Sequence, residues 1–458
     1  MEKEKMVFEH SPVYPYDPTV GKYHMVLPPF IQPWEYNGWQ AETMSWKKTC
    51  SISAQLNPNT CSKIVGPDAL KFLSDCTTNG YKNFAVGRCK HAVMTDDQGR
   101  VLTHGLVLRM NENEVMTYSL SPWLDYAATK KDYDMEIIDW SMNDFNFQCG
   151  GPRVLEMLET ATGDDLHDIP FMGHRQSSIN GKPVTILRMG MSGTLGYEVH
   201  GNMEDAAELY EIVYEAGKKF GVERLGWLCY AANHTENGFP QEAFHFKTAS
   251  IEDEGFLKYL ADLGYDPYEW PLGGEYSGSS GADLSKRMRN PVELGWANSI
   301  SLNHDFPGKA VIEKLLAKPE RKTVTLIWNQ DDIIDIFKSL FQTEEDPYKI
   351  LNFPLEDIGL TSGGGIRLFQ DDVFDKDGKL IGYSSGREYT LHQRLIFSMG
   401  CIDIDEAEIG NEVFVLWGEP GTRQKKVRAT VDVFPILSKK MVMNKDFDVE
   451  TIPHINQK

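Results

Sequence analysis

The sequence predicts a multidomain α+β protein, because a long chain carries two similar strand-turn-helix segments followed by a β-rich C-terminal part. Its 458 residues exceed what one ordinary hydrophobic core supports. The segments "KIVGPDALKFLSD" (63–75) and "FQCGGPRVLEMLE" (147–159) each run from a short apolar strand through Gly-Pro into an amphipathic helix. Two related segments of this kind indicate two similar α+β domains.

The helices follow from the spacing of their apolar residues, which are Ala69, Leu70 and Leu73 in the first and Val154, Leu155 and Leu158 in the second. A third helix is predicted within 202–222, where acidic residues begin the segment and lysines end it. The Gly- and Ser-rich run 273–287 is expected to be a surface loop or a lid.

The C-terminal part has a different pattern. The runs "KTVTLIWN" (322–329), "EVFVLWGE" (412–419) and "VRATVDVF" (427–434) are rich in the β-branched and aromatic residues that favour strands. We therefore expect one region over 1–318 and a β-dominated domain over 319–458.

The composition excludes several classes of partner. Lys and Arg number 46 against 67 Asp and Glu, and the net charge of −21 repels phosphate backbones and anionic lipid headgroups. The sequence has no apolar run of about 18 residues and no signal-peptide pattern, so we expect a cytoplasmic protein that binds neither nucleic acid nor membranes. The seven cysteines form no C-x-x-C pair and no cluster has metal-ligand spacing, which predicts reduced thiols and no bound metal.

Several motifs occur in the order of a known family, and they are "VGPDALKFLSD", "DDQGRVLTHGLVL", "GTLGYEVHG", "LGWLCYAANHTENG", "NPVELGW" and "GYSSGREYTLHQRLIFSMG". Through them the chain resembles the glycine cleavage T-protein (aminomethyltransferase) family. The stretch "KTVTLIWNQDDIIDIFKSLF" makes it most similar to the tetrahydrofolate-dependent O-demethylases of vanillate, syringate and 3-O-methylgallate. The resemblance implies two intertwined α+β domains plus a C-terminal β-barrel domain, arranged around a central folate channel.

The stretch "GTLGYEVHG" (193–201) contains the residue that the resemblance assigns to the cofactor. Its G-[YF]-E motif implies that Glu198, with Tyr197 beside it, binds the pterin ring of tetrahydrofolate. A carboxylate has two acceptor oxygens that can receive a pair of N–H bonds from an aminopyrimidinone edge. A salt-bridged glutamate on an exposed strand is the alternative, because a three-residue motif is short.

The segment 228–238 bears on the type of reaction. Glycine-cleavage enzymes have the form R-D-x-L-R-L-E-x-G there, whereas this chain has Tyr230 in place of the first arginine, as the O-demethylases do. A phenol with a pKa of about 10 matches a phenolic leaving group, so Tyr230 is the candidate acid or leaving-group stabiliser, and His234 is a candidate helper. The alternatives are a buried tyrosine with a satisfied hydroxyl and a structural histidine.

Four further residues fall near the site through the resemblance. Thr103 and His104 stand where the glycine-cleavage enzymes have an Asp pair, which argues against aminomethyl transfer. His104 either faces the channel or packs on a strand. Gln55 in "AQLNPN" and Trp296 in "NPVELGW" keep folate-side positions, with a surface amide and a core tryptophan as the alternatives.

The methyl donor is less well defined by the sequence. The stretch "YSLSPWLDY" (118–126) lacks the arginine that is thought to meet the carboxylate of vanillate. The substrate therefore either has no benzoate carboxylate or has one that meets Arg88 or Lys90.

The motifs together predict an enzyme, a tetrahydrofolate-dependent O-demethylase. It would transfer the methyl group of a small methoxylated aromatic compound to N5 of tetrahydrofolate, giving a phenol and 5-methyltetrahydrofolate. Two alternatives stay open, a folate-dependent demethylase of an S-methyl or N-methyl donor and a non-catalytic folate-binding regulatory protein. The sequence indicates neither the identity of the donor nor the oligomeric state.

Overall fold

The computed structural model describes residues 9–14, 16–27, 30–242, 244–266, 274–356 and 366–455. The helices in these ranges are α1 (Trp39–Lys48), α2 (Ala69–Cys76), α3 (Trp123–Ala128), α4 (Val154–Thr162), α5 (Ala206–Gly217), α6 (Trp227–Asn237), α7 (Glu254–Asp262), α8 (Lys309–Ala317) and α9 (Gln330–Ser339). The strands are β1 (Glu9–His10), β2 (Lys22–Leu27), β3 (Phe30–Glu35), β4 (Cys50–Ser53), β5 (Cys61–Val65), β6 (Cys89–Thr95), β7 (Val101–Asn111), β8 (Glu114–Tyr118), β9 (Glu136–Asp139), β10 (Asp144–Gly150), β11 (His174–Ile179), β12 (Lys182–Leu187), β13 (Gly196–Asn202), β14 (Val222–Arg224), β15 (Gly274–Ser277), β16 (Arg321–Trp328), β17 (Ile366–Phe374), β18 (Leu380–Thr390), β19 (Leu395–Asp403), β20 (Glu412–Trp417) and β21 (Lys425–Asp432).

The three helices predicted from apolar spacing are α2, α4 and α5. Val154, Leu155 and Leu158 of α4 are fully buried, as the spacing predicts. The helix α5 follows a single 3₁₀ turn whose N-cap is Asn202, and the side chain of Asn202 accepts from the backbone N–H of Glu204.

Two α+β units are interleaved along the chain. The strand β4 belongs to a six-stranded sheet of order β11-β12-β13-β10-β4-β14, while β5 to β9 form a five-stranded sheet of order β6-β7-β8-β5-β9. The helices α4 and α5 pack on the first sheet, and α2, α3 and α7 pack on the second. Because the second unit is inserted between β4 and β10 of the first, the prediction of two intertwined α+β domains is confirmed.

The C-terminal strands close into a barrel. They follow the order β17-β18-β19-β16-β21-β20, and β17 also pairs with β20. Its interior is apolar and includes Trp328, Trp417 and Val415. The predicted C-terminal β-barrel is therefore confirmed.

The run 273–287 was expected to be a loop, but its described part contains β15, which pairs in parallel with β17. Arg287 explains the difference. Its side chain is fully buried, and its guanidinium donates to the carbonyls of Leu368 and Ser277, both at 3.0 Å. Glycine and serine composition predicts a loop, but a buried arginine that bonds backbone carbonyls holds this segment on the barrel.

The chain after β21 returns to the six-stranded sheet. Val449 and Ile452 join the apolar core on the α4 face of that sheet. Asn444 donates from Nδ2 to the carbonyl of Gly196, at the start of β13, over 3.0 Å. The C-terminal segment thus braces β13, a strand of the region predicted over 1–318. The division into two regions at residue 318 stays a prediction.

Within the described ranges, every helix is too short or too polar to cross a membrane. All seven cysteines are free thiols, and six of them are buried.

Candidate active site

Glu198 lies on β13 with a buried carboxylate, and the residue is only 2 % exposed. Its Oε1 accepts a hydrogen bond from Gln148 Nε2 at 3.0 Å, and its Oε2 accepts one from His200 Nε2 at 3.1 Å. Gln148 stands directly opposite Glu198 on β10, while His200 follows two residues along β13 on the same face. Each carboxylate oxygen has a second lone-pair site, so both can also accept from a ligand.

His200 connects the partly buried carboxylate of Asp144 with the buried carboxylate of Glu198. Its Nδ1 faces Asp144 Oδ2 at 3.2 Å, and the Tyr118 hydroxyl donates to the same oxygen at 3.0 Å. Burial lowers the pKa of His200, but its hydrogen bonds and the charges of Asp144 and Glu198 outweigh burial and raise the pKa to about 9. The site therefore holds a buried positive charge next to Glu198 at neutral pH.

Tyr197 lies on the opposite face of β13 from Glu198, because successive side chains of a strand alternate. It is fully buried in the apolar core that includes Leu155 and Leu158 of α4. The structure brings Glu198, but not the Tyr197 ring, to the side of the sheet that carries Gln148 and His200.

The helix α6 carries Tyr230 and His234 one turn apart, with 5.0 Å between their ring centroids. Burial raises the pKa of Tyr230 well above its usual value, and the charge of Glu198 raises it further. Burial lowers the pKa of His234 to about 4, against a raising effect of the Phe239 backbone, so the imidazole is neutral at neutral pH. Neither His234 nitrogen makes a hydrogen bond of normal geometry within the described residues.

His104 and Trp296 belong to an aromatic group that reaches His234 through Phe239. The His104 centroid lies 4.8 Å from that of Trp296 and 5.9 Å from that of Phe239, which lies 6.3 Å from that of His234. A hydrogen bond of 3.1 Å joins His91 Nε2 and His104 Nδ1. Burial lowers the pKa of His104 well below its usual value, and His91 and His234 add to this effect. His104, Trp296 and His234, which the sequence analysis named, thus belong to one wall of packed aromatic rings.

Gln55 lies just after β4, between the six-stranded sheet and the start of α6. Its Nε2 donates to the carbonyl of Leu225 at 2.7 Å, whereas its buried Oε1 has no partner within the described residues. Ser53, two residues earlier, is in register with Gln148. Gln55 therefore adds an unused acceptor near the cross-strand row formed by Ser53, Gln148 and Glu198.

The unused acceptors fit tetrahydrofolate. Glu198 and Gln55 offer oxygen lone pairs, and a reduced pterin presents N–H donors along its aminopyrimidinone edge. A cavity of about 220 Å³ adjoins the pair Asp144–His200 and is also lined by Lys63 and Trp140, but not by Glu198 or Gln55. The assignment of Glu198 and Gln55 to the pterin stays a prediction.

Gln148, Asp144 and His200 belong to the hydrogen-bonded group around Glu198, although the motifs assigned a role to none of them, not even to His200 within "GTLGYEVHG". Gln148 and Asp144 come from β10, and only the register between β10 and β13 brings them to Glu198. His200 did have a signal, since the second residue after Glu198 on a strand shares its face.

Arg387 is a further site residue that the motifs did not single out. It lines a small cavity between α6 and the barrel, together with Thr235 and Phe244. Its Nη2 donates to the carboxylate of Glu356 at 2.7 Å and to the carbonyl of Asn352 at 2.7 Å. Its Nε and Nη1 are buried without a partner in the described ranges, which leaves two donors for an anionic or ether oxygen.

Arg88 and Lys90, which the sequence suggested as carboxylate partners, are engaged elsewhere. Arg88 donates to the carbonyl of Phe171 at 3.1 Å, and Lys90 donates to that of Gly80 at 2.6 Å. Arg387 is therefore better placed than either of them to meet a substituent of a ligand beside α6.

Comparison with known proteins identifies relatives over most of the chain. The family described as GCVT N-terminal domain matches residues 21–246. The chain is 37% identical over 428 residues to a sesamin methylene transferase of Sinomonas sp., covering 92% of this chain and 93% of that protein. It is 27% identical to a syringate O-demethylase of Sphingobium sp., covering 85% and 84%. The crystal structure of glycine cleavage system aminomethyltransferase T from Bartonella henselae superposes with a TM-score of 0.66 at 16% identity, over 93% and 96% of the two chains, which confirms the T-protein fold.

We expect the free energy of unfolding to decrease as the pH rises from about 6.5 to about 9. A histidine whose pKa is raised on folding stabilises fully below its unfolded pKa and loses that contribution as the pH passes its folded pKa. For His200, buried between Asp144 and Glu198, the shift corresponds to roughly 3 kcal/mol. Urea unfolding at a series of pH values measures the slope, which His200→Gln should flatten and His392→Gln should not. Equal slopes for His200→Gln and the unaltered chain would contradict the charge assigned to His200.

Proposed function

The chain belongs to the glycine cleavage T-protein (aminomethyltransferase) family, and on that basis we propose that it is a tetrahydrofolate-dependent O-demethylase of a small methoxylated aromatic compound. The relatives that match nearly its whole length are a methylene transferase and an O-demethylase, so the chain is a transferase of this family. The observation that carries the proposal is the buried Glu198 carboxylate, which is oriented by Gln148 and His200 and keeps a second acceptor site on each oxygen. A cytoplasmic role in one-carbon metabolism remains part of the proposal.

The alternative donors are less well supported. Syringate carries methoxy groups on an aromatic ring and sesamin carries methylenedioxy groups, so both named substrates are aryl ethers. The dimethylglycine dehydrogenases of Rattus norvegicus and Homo sapiens, named for an N-methyl compound, are 25% and 24% identical over 61% of this chain but over only 29% of their own length, which supports an N-methyl donor less. A purely regulatory folate-binding role is set aside, because the full-length relatives are enzymes.

The reaction exchanges a carbon–oxygen bond for a carbon–nitrogen bond. Tetrahydrofolate, when bound, supplies N5 as the methyl acceptor, and the proton lost from N5 balances the one gained by the phenol. Glu198 and Gln55 hold and orient the pterin, and the wall of His104 and Trp296 keeps water away from the reacting atoms. Tyr230 donates a hydrogen bond to the departing aryl oxygen.

The raised pKa of Tyr230 favours one of its two predicted roles. A phenol that is a weaker acid than the leaving phenol, whose pKa is about 10, does not transfer its proton favourably. It does remain fully protonated and donates a hydrogen bond to the charge that develops on oxygen. The pKa therefore supports Tyr230 as a leaving-group stabiliser rather than as a proton donor.

A second candidate function has a specific observation in its favour. The relative that is 37% identical is a methylene transferase, and it is more similar to this chain than the O-demethylase at 27%. A methylenedioxy donor would pass its carbon to N5 and N10 together, giving a catechol and 5,10-methylenetetrahydrofolate. Two aryl oxygens would then depart, and Arg387 has two donors beside α6 that find no partner among the described residues and could meet such oxygens.

Product masses separate the two candidates. The protein is incubated with tetrahydrofolate and, separately, with methoxylated and methylenedioxy aromatics, each with and without a carboxylate. We expect 5-methyltetrahydrofolate and a phenol from a methoxylated donor. Formation of only 5,10-methylenetetrahydrofolate and a catechol from the methylenedioxy donor would favour the second candidate, and no turnover of either class would contradict both.

Glu198→Gln should weaken the binding of tetrahydrofolate by about ten- to a hundredfold, because a charge-assisted contact contributes about 1.5 to 3 kcal/mol. Fluorescence titration of the folate measures the change. Glu223→Gln, a change of the same type away from the site, is the control and should bind normally. Unchanged affinity in Glu198→Gln would show that the carboxylate does not contact the pterin.

Tyr230→Phe should lower kcat by about 10² while folate affinity persists, because the hydroxyl acts on charge that develops in the transition state. Steady-state kinetics across aryl ethers measures the effect, and donors with more acidic phenols should show a smaller deficit. Tyr210→Phe, a buried tyrosine on α5, is the matched control. A normal kcat in Tyr230→Phe for every donor would assign the hydroxyl a structural role.

A further inference from the structure

Three side chains with metal-binding atoms meet where the loop after α4 contacts the C-terminal segment. Asp165 Oδ1 lies 2.9 Å from His167 Nδ1, and Asp165 Oδ2 lies 2.6 Å from His454 Nδ1. The two imidazole rings stack with 3.8 Å between centroids. Within the described ranges, one donor atom from each of the three residues lies within 4.8 Å of the others.

The outer nitrogens of the two histidines have acceptors of their own. His167 Nε2 faces the carbonyl of Ile452 at 3.0 Å, and His454 Nε2 faces the carboxylate of Glu450 at 3.2 Å. Protons on these nitrogens leave both Nδ1 atoms with free lone pairs that point to Asp165. Metal-binding histidines are typically held in this way, with the second nitrogen donating to a carbonyl or a carboxylate.

With protons on the outer nitrogens, the inner atoms carry only lone pairs, and the geometry then suits a cation between them. Glu159 adds a further acceptor, because its Oε1 lies 2.9 Å from His167 Nδ1 and its Oε2 is buried without a partner within the described residues. One divalent ion would be bound by the nitrogen and oxygen lone pairs that meet here.

We propose that Asp165, His167 and His454 bind one divalent transition-metal ion, with zinc as the ion that best fits the donors. Imidazole nitrogen with carboxylate oxygen is a usual zinc set, whereas calcium and magnesium prefer oxygen alone. Donors around a tetrahedral zinc with bonds of about 2.1 Å lie about 3.4 Å apart, so a small expansion of the cluster admits the ion. Spacing predicted no metal, because Asp165 and His454 are 289 residues apart in the chain.

The ion has a structural role. The cluster lies on the α4 face of the six-stranded sheet, where Ile452 enters the core, whereas Glu198 is on the other face. It fastens the segment whose Asn444 bonds the start of β13 at Gly196. Removing the ion should loosen this brace and lower thermal stability, while the chemistry at Tyr230 needs no metal.

Metal binding by the full-length protein tests the site directly. The chain is prepared without a polyhistidine tag, stripped with a chelator and titrated with zinc or cobalt(II). We expect one equivalent of zinc by elemental mass spectrometry, the visible spectrum of nitrogen- and oxygen-bound cobalt, and a higher thermal midpoint with zinc than with chelator.

Variants locate the ion. Asp165→Asn and His454→Ala should each weaken binding by tenfold or more and remove the zinc-dependent rise in thermal midpoint, with tryptophan fluorescence reporting that both fold. Glu450→Gln, which only orients His454, should have a smaller effect, and His392→Ala should bind normally. The proposal would be overturned if the unaltered chain bound no stoichiometric metal, or if Asp165→Asn and His454→Ala bound metal as tightly as the unaltered chain. The cluster would then be a group of hydrogen-bonded ion pairs. These results do not depend on which substrate the enzyme uses.

Discussion

The arrangement of the site depends on the positive charge of His200, buried between the carboxylates of Asp144 and Glu198. A lone carboxylate inside a sheet would be costly, because burial removes its hydration. Pairing with His200 and a hydrogen bond from Gln148 offset that cost while leaving lone pairs on both Glu198 oxygens. The same contacts fix the direction of the carboxylate, so the binding surface is in place before a ligand arrives.

The interleaved chain path explains how distant segments reach this carboxylate. Insertion of the five-stranded unit between β4 and β10 makes these two strands neighbours in the six-stranded sheet, with β13 beside β10. Because side chains alternate along β13, Tyr197 packs in the core under α4 while Glu198 and His200 lie on the opposite face, at the candidate site. The C-terminal segment bonds Gly196 and so limits movement of the same strand.

Local patterns predicted much of this fold, and pairing between distant segments accounts for what they did not predict. Helical spacing and strand-rich runs were enough for α2, α4, α5 and the barrel strands β16, β20 and β21, and one motif singled out Glu198, whose role at the cofactor stays a prediction. Gln148 and Asp144 required the register of β10 with β13, which local spacing does not encode. A prediction of the strand β15 would have required knowledge of the buried contacts of Arg287, which a Gly- and Ser-rich composition does not indicate.

Burial also limits the chemistry that the site supports. The raised pKa of Tyr230 and the lowered pKa values of His234 and His104 leave three neutral groups at the proposed catalytic positions, none of which readily gives up a full proton at neutral pH. Such groups stabilise a departing anion by hydrogen bonding. That is sufficient for a phenolate, whose conjugate acid has a pKa of about 10, but not for an alkoxide, whose conjugate acid is as weak as water with a pKa of about 16. An aryl ether is therefore the donor class that these residues suit, because the aromatic ring itself supplies the acidity that the protein does not.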